Sequence, residues 1–184
     1  MKYITDDIVK DLLENKWLPI AEVIEEAFLD DTADMVPKVY LPAGKAGDYR
    51  AMPASLGGYA ALKWIGVFPN NKENGLPTTL GTLILSDRFT GETLAIMDCA
   101  TLTAYRTAVT SAIAAKYCAP DAEEFAIIGC GIQGRYHIEA YEAICCNHMK
   151  LSIQLYDTNE SPMNQMFNWL GRENLCHAWG RNES

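Results

Sequence analysis

Glu124-Phe125-Ala126-Ile127-Ile128-Gly129-Cys130-Gly131-Ile132-Gln133-Gly134-Arg135 is the stretch whose reading decides the fold. The apolar run from Phe125 to Ile128 predicts a short buried strand. Gly129, Gly131 and Gly134 satisfy G-x-G-x-x-G, and the residues from Arg135 to Cys145 predict a helix. Alone the pattern is weak. Between a strand and a helix it has the setting that a dinucleotide loop requires, and a glycine turn with no ligand is the plainer alternative. The first glycine permits a tight turn, the second lets backbone approach a pyrophosphate, and the third lets helix and strand pack closely. The helix N-terminus then offers free N–H groups to the phosphates. A second strand is expected over Leu151 to Tyr156. Asp157 follows it directly, where a carboxylate accepts hydrogen bonds from ribose hydroxyls. No Arg or Lys comes after Asp157 until Arg172, so a 2′-phosphate has no evident partner and NAD is expected over NADP. Strand, helix, strand is a βαβ unit with parallel strands. A further helix is expected over Ser161 to Leu170.

The chain before Pro120 reads differently. Thr5-Asp6-Asp7 predicts a helix start, running to about Asn15. Pro19 opens a second helix, with Ile20, Val23, Ile24, Ala27 and Phe28 on its apolar face. Strands are expected over Val36 to Leu41, Tyr49 to Met52, Tyr59 to Phe68, Thr78 to Ser86 and Glu92 to Met97. The turn residues Asp87 to Gly91 make the last two a hairpin. Short connections suggest a mostly antiparallel sheet. A long helix rich in Ala, Thr and Ser covers about Thr101 to Cys118. The fold class is therefore α/β: an α+β domain over residues 1–119, then part of a Rossmann domain over 120–184.

Composition narrows the function classes. The chain has 184 residues, 49% hydrophobic and 21% charged, which is the balance of a soluble globular protein of one domain or slightly more. No apolar run approaches the roughly 20 residues of a membrane helix. The acidic N-terminus resembles neither a secretory signal nor a mitochondrial presequence, so the cytoplasm is expected. Ten acidic residues and three lysines lie before Met35, which places most of the net charge of −9 there. A nucleic-acid binder would carry a basic stripe instead. The six cysteines include no Cys-x-x-Cys pair, the three histidines lack ligand spacing, and no metal site is expected.

Three cations stand in apolar company. Arg50 lies in Tyr49-Arg50-Ala51-Met52, Lys63 in Leu62-Lys63-Trp64-Ile65, and Arg106 within the arc of Leu102, Tyr105, Val109 and Ile113. Such a cation costs several kcal/mol unless an anion meets it. Singly, each is as well explained by a local ion pair or a stem reaching water. Beside a dinucleotide loop, the three together favour a pocket for a small carboxylate, with the arginines offering forked donors.

Three blocks of sequence then carry a resemblance. They are Leu62-Lys63-Trp64-Ile65-Gly66 with Gly75-Leu76-Pro77-Thr78, Thr90-Gly91 to Asp98 with Leu102-Thr103-Ala104-Tyr105-Arg106-Thr107-Ala108, and the glycine loop itself. In order and spacing they resemble the ornithine cyclodeaminase/mu-crystallin family, over about Lys2 to Leu170. The resemblance implies a two-domain NAD(P)-dependent protein whose substrate domain dimerises through its sheet. It implies that Arg50, Lys63 and Arg106 hold the substrate carboxylate. Thr78 and Arg106 would meet the cofactor near its nicotinamide end, and Ile132, Gln133 and Asp157 its pyrophosphate and ribose. The implied chemistry is hydride transfer from Cα of an amino acid to NAD, which in a cyclodeaminase leads from L-ornithine to L-proline and ammonia. Alanine dehydrogenases and cyclic ketimine reductases of the same family are the alternatives.

The chain stops 27 residues after Asp157, whereas the family's Rossmann domain continues and then returns to the substrate domain. The family's acid/base aspartate lies in that continuation, so no residue here takes the role. The expectation is an incomplete chain, inactive on ornithine by itself, or a non-catalytic remnant. Gly171 to Ser184 shows no periodicity and is expected to form neither helix nor strand. Two parallel strands with uncovered edges are expected after Pro120.

Overall fold

The structure is a computed structural model that describes residues 1–145, 152–171 and the backbone of 176–178. Packing divides the chain into two units, Met1–Glu14 with Glu25–Thr103 and Asn15–Ile24 with Ala104–Ser184. Expectations for Leu151, Arg172 and residues 179–184 lie outside the described residues.

In the first unit, β1 (Lys2–Ile4) and α1 (Asp6–Leu13) precede a run of strands: β2 (Asp34–Met35), β3 (Val39–Pro42), β4 (Asp48–Leu56), β5 (Tyr59–Val67), β6 (Thr79–Asp87) and β7 (Thr93–Asp98). They form one seven-stranded sheet in the order β1-β7-β6-β5-β4-β2, with β3 also paired to β4. Every pairing is antiparallel except β1 with β7, which is parallel. The expected antiparallel sheet is present. β1 carries no signal in the sequence, because three residues show no period and its ladder is borrowed from β7, over ninety residues away. β4 runs past the expected Met52, through Pro53. Proline has no N–H to give a ladder. β3 pairs with β4 up to Ala51 and β2 resumes at Ala54, so Pro53 falls in the gap between them.

The β6–β7 hairpin is closed by the expected turn. Asp87 Oδ1 accepts from the backbone N–H groups of Phe89 at 2.9 Å and Thr90 at 2.7 Å, and from Thr90 Oγ1 at 2.9 Å. These bonds hold the Asp87 carboxyl below the usual range. Gly91 takes φ +74°, a conformation that suits glycine.

The start of α3 (Ala100–Cys118) is capped from a distance. Asp6 Oδ1 accepts the Thr101 N–H at 3.0 Å and Oδ2 accepts the Thr101 hydroxyl at 2.8 Å. Asp98 accepts the Ala100 N–H at 3.0 Å. Orphan donors at a helix start are thus met by side chains, each worth about 1 kcal/mol.

In the second unit, β8 (Glu124–Ile128), α4 (Ile132–Cys145), β9 (Ser152–Tyr156), α5 (Glu160–Leu170) and β10 (Cys176–Ala178) build a parallel sheet ordered β10-β9-β8. Its core is Ile127, Cys130, Ile138, Ile153, Leu155, Met163 and Met166, of which Ile138, Ile153 and Leu155 are completely buried. β10 corrects the expectation that the tail forms no strand and that only two parallel strands follow Pro120. Cys176 to Ala178 is too short for a pattern, and its pairing with Ile153 to Leu155 defines it.

The second helix, α2 (Trp17–Leu29), starts two residues before Pro19. Its expected apolar face is corrected as well: Val23 and Phe28 are exposed, while Trp17 and Ala21 are buried. Trp17 stacks on Tyr105 at 4.4 Å between ring centroids, and Tyr136 meets Tyr105 edge-on at 5.1 Å. Ile20 and Ile24 are half-buried beside them, so Val23 falls to the side of the stripe, while Phe28 lies on it by spacing but near the far end of the helix.

Candidate nucleotide and carboxylate sites

The glycine loop passes its steric test position by position. Gly129 has φ +104°, which favours glycine. A Cβ on Gly134 would lie 2.6 Å from the Gly129 carbonyl oxygen, 3.0 Å from Ile127 and 3.1 Å from Met166, so only glycine lets α4 pack this closely on β8. A Cβ on Gly131 would meet nothing within 4 Å. The space over that residue is open, as approach of a pyrophosphate requires. α4 starts at Ile132 rather than the expected Arg135. Ile132, Gln133 and Gly134 are therefore its first turn, whose N–H groups have no acceptor inside the helix. These residues fit a dinucleotide.

Asp157 does more than end β9. Its Oδ2 accepts the Cys130 N–H at 2.8 Å and its Oδ1 the Asn159 N–H at 2.9 Å. The Asn159 and Cys130 N–H groups hold the carboxyl below its usual range, against the opposing effect of burial. The carboxylate thus ties the glycine loop to the end of β9. An ionised carboxylate has about four acceptor positions, so oxygen lone pairs remain for a ribose. The anchoring role escaped the sequence reading because the partners are 27 residues apart. Cys130 is buried beside it, and burial, then the Asp157 charge, pushes its thiol up.

The sheet of the first unit brings two of the three cations to one face. Lys63 pairs with Met52, and Arg50 pairs with Ile65. Directly paired residues, and residues two apart, share a face. Arg50, Met52, Lys63 and the buried Ile65 therefore point the same way. Cys99, almost wholly buried, belongs to this face, since a Cβ on Gly81 would touch both its sulfur and Ile65 at 2.8 Å. Burial pushes the Cys99 thiol up, more than a Thr103 hydrogen bond and the Lys63 charge pull it down.

Arg50 already has an anion. Its Nε donates to Asp48 Oδ1 at 2.6 Å and its Nη2 to Oδ2 at 3.2 Å, with both side chains about 30% exposed. Hydrogen bonding to Arg50 holds the Asp48 carboxyl below its usual range. The Arg50 guanidinium also lies 5.3 Å from the centre of the Tyr40 ring. The local ion pair, one of the two explanations left open by the sequence, is thus present. Period-two spacing signalled it, because Asp48 and Arg50 share a strand face.

Arg106 lies in the second unit and is exposed. That corrects its expected place inside an apolar arc. The buried stripe of α3 runs through Ala104, Tyr105, Ala108, Val109, Ala112 and Ile113, and Arg106 flanks it. Thr78 precedes β6, and its carbonyl accepts the Phe68 N–H at 2.8 Å. Among the described residues, no three His, Cys, Asp or Glu side chains gather as a metal site. No described helix is long and apolar enough to cross a membrane.

Comparison with known proteins agrees with this geometry. Residues 7–178 match the family model of the ornithine cyclodeaminase/mu-crystallin family. An alanine dehydrogenase of Archaeoglobus fulgidus is 46% identical over 125 residues, covering 66% of this chain and 38% of that protein. An ornithine cyclodeaminase of Agrobacterium fabrum is 35% identical over 134 residues, covering 72% of this chain and 38% of that protein. Among solved structures, an archaeal alanine dehydrogenase dimer with bound NAD superposes with TM-score 0.86 at 32% identity, over 98% of this chain and 56% of that one. The chain spans little more than half the length of that structure. With 172 consecutive residues matched to one family model, the chain belongs to the ornithine cyclodeaminase/mu-crystallin family.

Proposed function

We propose that the protein uses NAD to oxidise or reduce a small amino or imino acid at Cα. The observation that carries this reading is the glycine loop with Asp157: an open Gly131, an obligatory Gly134 and a carboxylate at the end of β9. Gly129, Gly131, Ile132, Gln133 and Gly134 would hold the pyrophosphate, Asp157 the ribose, and Thr78 and Arg106 the nicotinamide end. When bound, NAD takes or gives a hydride. Arg50, Lys63 and Arg106 would hold the substrate carboxylate. Asp48 would then serve as the resident anion that keeps Arg50 aligned. Residues 1–119 would carry substrate and residues 120–184 the nucleotide, in the cytoplasm.

Two substrate readings follow. The Archaeoglobus alanine dehydrogenase match supports oxidation of a simple α-amino acid to its imino acid. The Agrobacterium match supports ornithine cyclodeamination, in which the hydride returns to the product. Incubation with NAD and either L-alanine or L-ornithine separates them. Net NADH formation from alanine supports the first. Ammonia and proline from ornithine without net NADH support the second. A folded protein that neither binds NAD nor acts on either substrate contradicts both.

The partner expected is a second copy. Val39, Leu41, Trp64 and Leu80 share the sheet face opposite Arg50 and are all exposed. An apolar sheet face of this kind suits burial against its own copy. A monomer at micromolar concentration in sedimentation would contradict a homodimer.

A further inference from the structure

His137 has no place in the nucleotide reading, yet it joins two elements of the second unit. It stands on α4, four residues after Gln133. Its Nδ1 lies 2.7 Å from the Gln133 carbonyl oxygen, and its Nε2 lies 3.1 Å from Ser111 Oγ on α3. Ser111 Oγ in turn lies 3.2 Å from the Thr107 carbonyl oxygen.

The proton inventory fixes one end of this chain. A carbonyl oxygen only accepts, so Nδ1 must carry a hydrogen to bond Gln133. In the neutral ring Nε2 is then the acceptor, and Ser111 must donate to it. The Ser111 hydroxyl has one proton, so it cannot serve Thr107 at the same moment. The result is a directional bridge from α3, which carries Arg106, to the first turn of α4, which carries Gln133.

We infer that His137 is a positioning residue for the nucleotide site: its Nδ1–H tautomer, set by the Gln133 carbonyl, fastens the first turn of α4 to α3 through Ser111. This rests on the nucleotide reading above, but the bridge has a readout that needs no nucleotide. Nitrogen NMR of the unmodified chain at neutral pH is expected to show His137 as the Nδ1–H tautomer. Amide hydrogen exchange over Arg135 to Ile138, the first amides of α4 with acceptors behind them, is expected to quicken by about threefold to tenfold in His137→Ala and in Ser111→Ala, the range of one hydrogen bond. The double variant should quicken no further than either single, because both remove the same link.

His137→Asn is the refining variant, since its amide can still reach Gln133 but not Ser111. It is expected to resemble Ser111→Ala. NAD titration of the same proteins should show about threefold to tenfold weaker binding in each. An Nε2–H tautomer, or exchange unchanged in both single variants, overturns the inference. If the unmodified folded chain does not bind NAD, the nucleotide reading fails, while the tautomer and exchange results still decide whether the bridge exists. Exchange changed with NAD affinity unmoved overturns the positioning role and leaves a structural link only.

Discussion

The glycine loop and the cation-bearing sheet face reach their shape by opposite routes. The loop is continuous in sequence: Gly129 answers a backbone conformation, Gly134 a close packing contact, and Gly131 leaves open space. The sheet face exists only through register: Arg50 and Lys63 are neighbours because β4 and β5 pair as they do. A one-residue slip would send one of the pair to the other side of the sheet. The loop should therefore fail abruptly when one atom is added, whereas the sheet face should lose affinity in steps.

The sharpest break is at Gly134. Gly134→Val places branched carbon against a backbone oxygen 2.6 Å from the first added atom. It should destabilise the second unit by about 1–3 kcal/mol or more and abolish NAD binding. Denaturant melts with an NAD titration check this, and a variant that melts and binds like the parent would refute the packing role. Next comes Asp157→Ser. Loss of the proposed ribose acceptor together with the Cys130 anchor should weaken NAD binding by at least tenfold, with only a relative gain for NADP. Paired titrations with both nucleotides decide it. Undiminished NAD binding would remove Asp157 from the site.

On the sheet face, Arg50→Lys loses the fork that meets Asp48. In a catalytically active protein the amino-acid KM should rise about tenfold, with stability changed by less than about 1 kcal/mol, since the pair is partly exposed. An unchanged KM would detach Arg50 from the substrate.

The smallest effect expected is a pH dependence of folding. Asp6 has its carboxyl lowered: burial opposes this, but the Thr101 and Lys10 contacts outweigh it. A lowered folded value means that the stabilisation is present above the unfolded value of about 3.9 and is lost as pH falls through the folded one. Asp6→Asn should therefore cost stability at pH 7 and very little well below pH 3. Equal differences at both pH values would contradict the cap.

The same contrast explains what could be read in advance. The loop, the place of Asp157 at the end of β9, the 87–91 turn and the antiparallel strands carry short-range signals, and each is legible in the sequence. β1 and β10 are not, because three residues have no period and both depend on a partner strand. Leu102 and Ile113 suggest an apolar arc around Arg106. The alanines at 104, 108 and 112 mark the buried spine instead, since small residues sit at close packing. Val23 and Phe28 look like core by periodicity and are exposed: Val23 lies to the side of the Trp17–Ala21 stripe, and Phe28 lies on that stripe but near the end of α2. The Asp6–Thr101 cap spans 95 residues and left no local trace.

Calorimetric titration of the 184-residue chain with NAD, alongside Gly131→Ala, tests the central claim most directly. Nothing in the protein lies within 4 Å of the added Cβ, so Gly131→Ala should fold and melt like the parent. If a pyrophosphate approaches that backbone, the variant should lose NAD binding by at least tenfold while the parent binds. A folded parent that does not bind NAD, or a variant that binds it equally well, would contradict the assignment of this loop to the nucleotide.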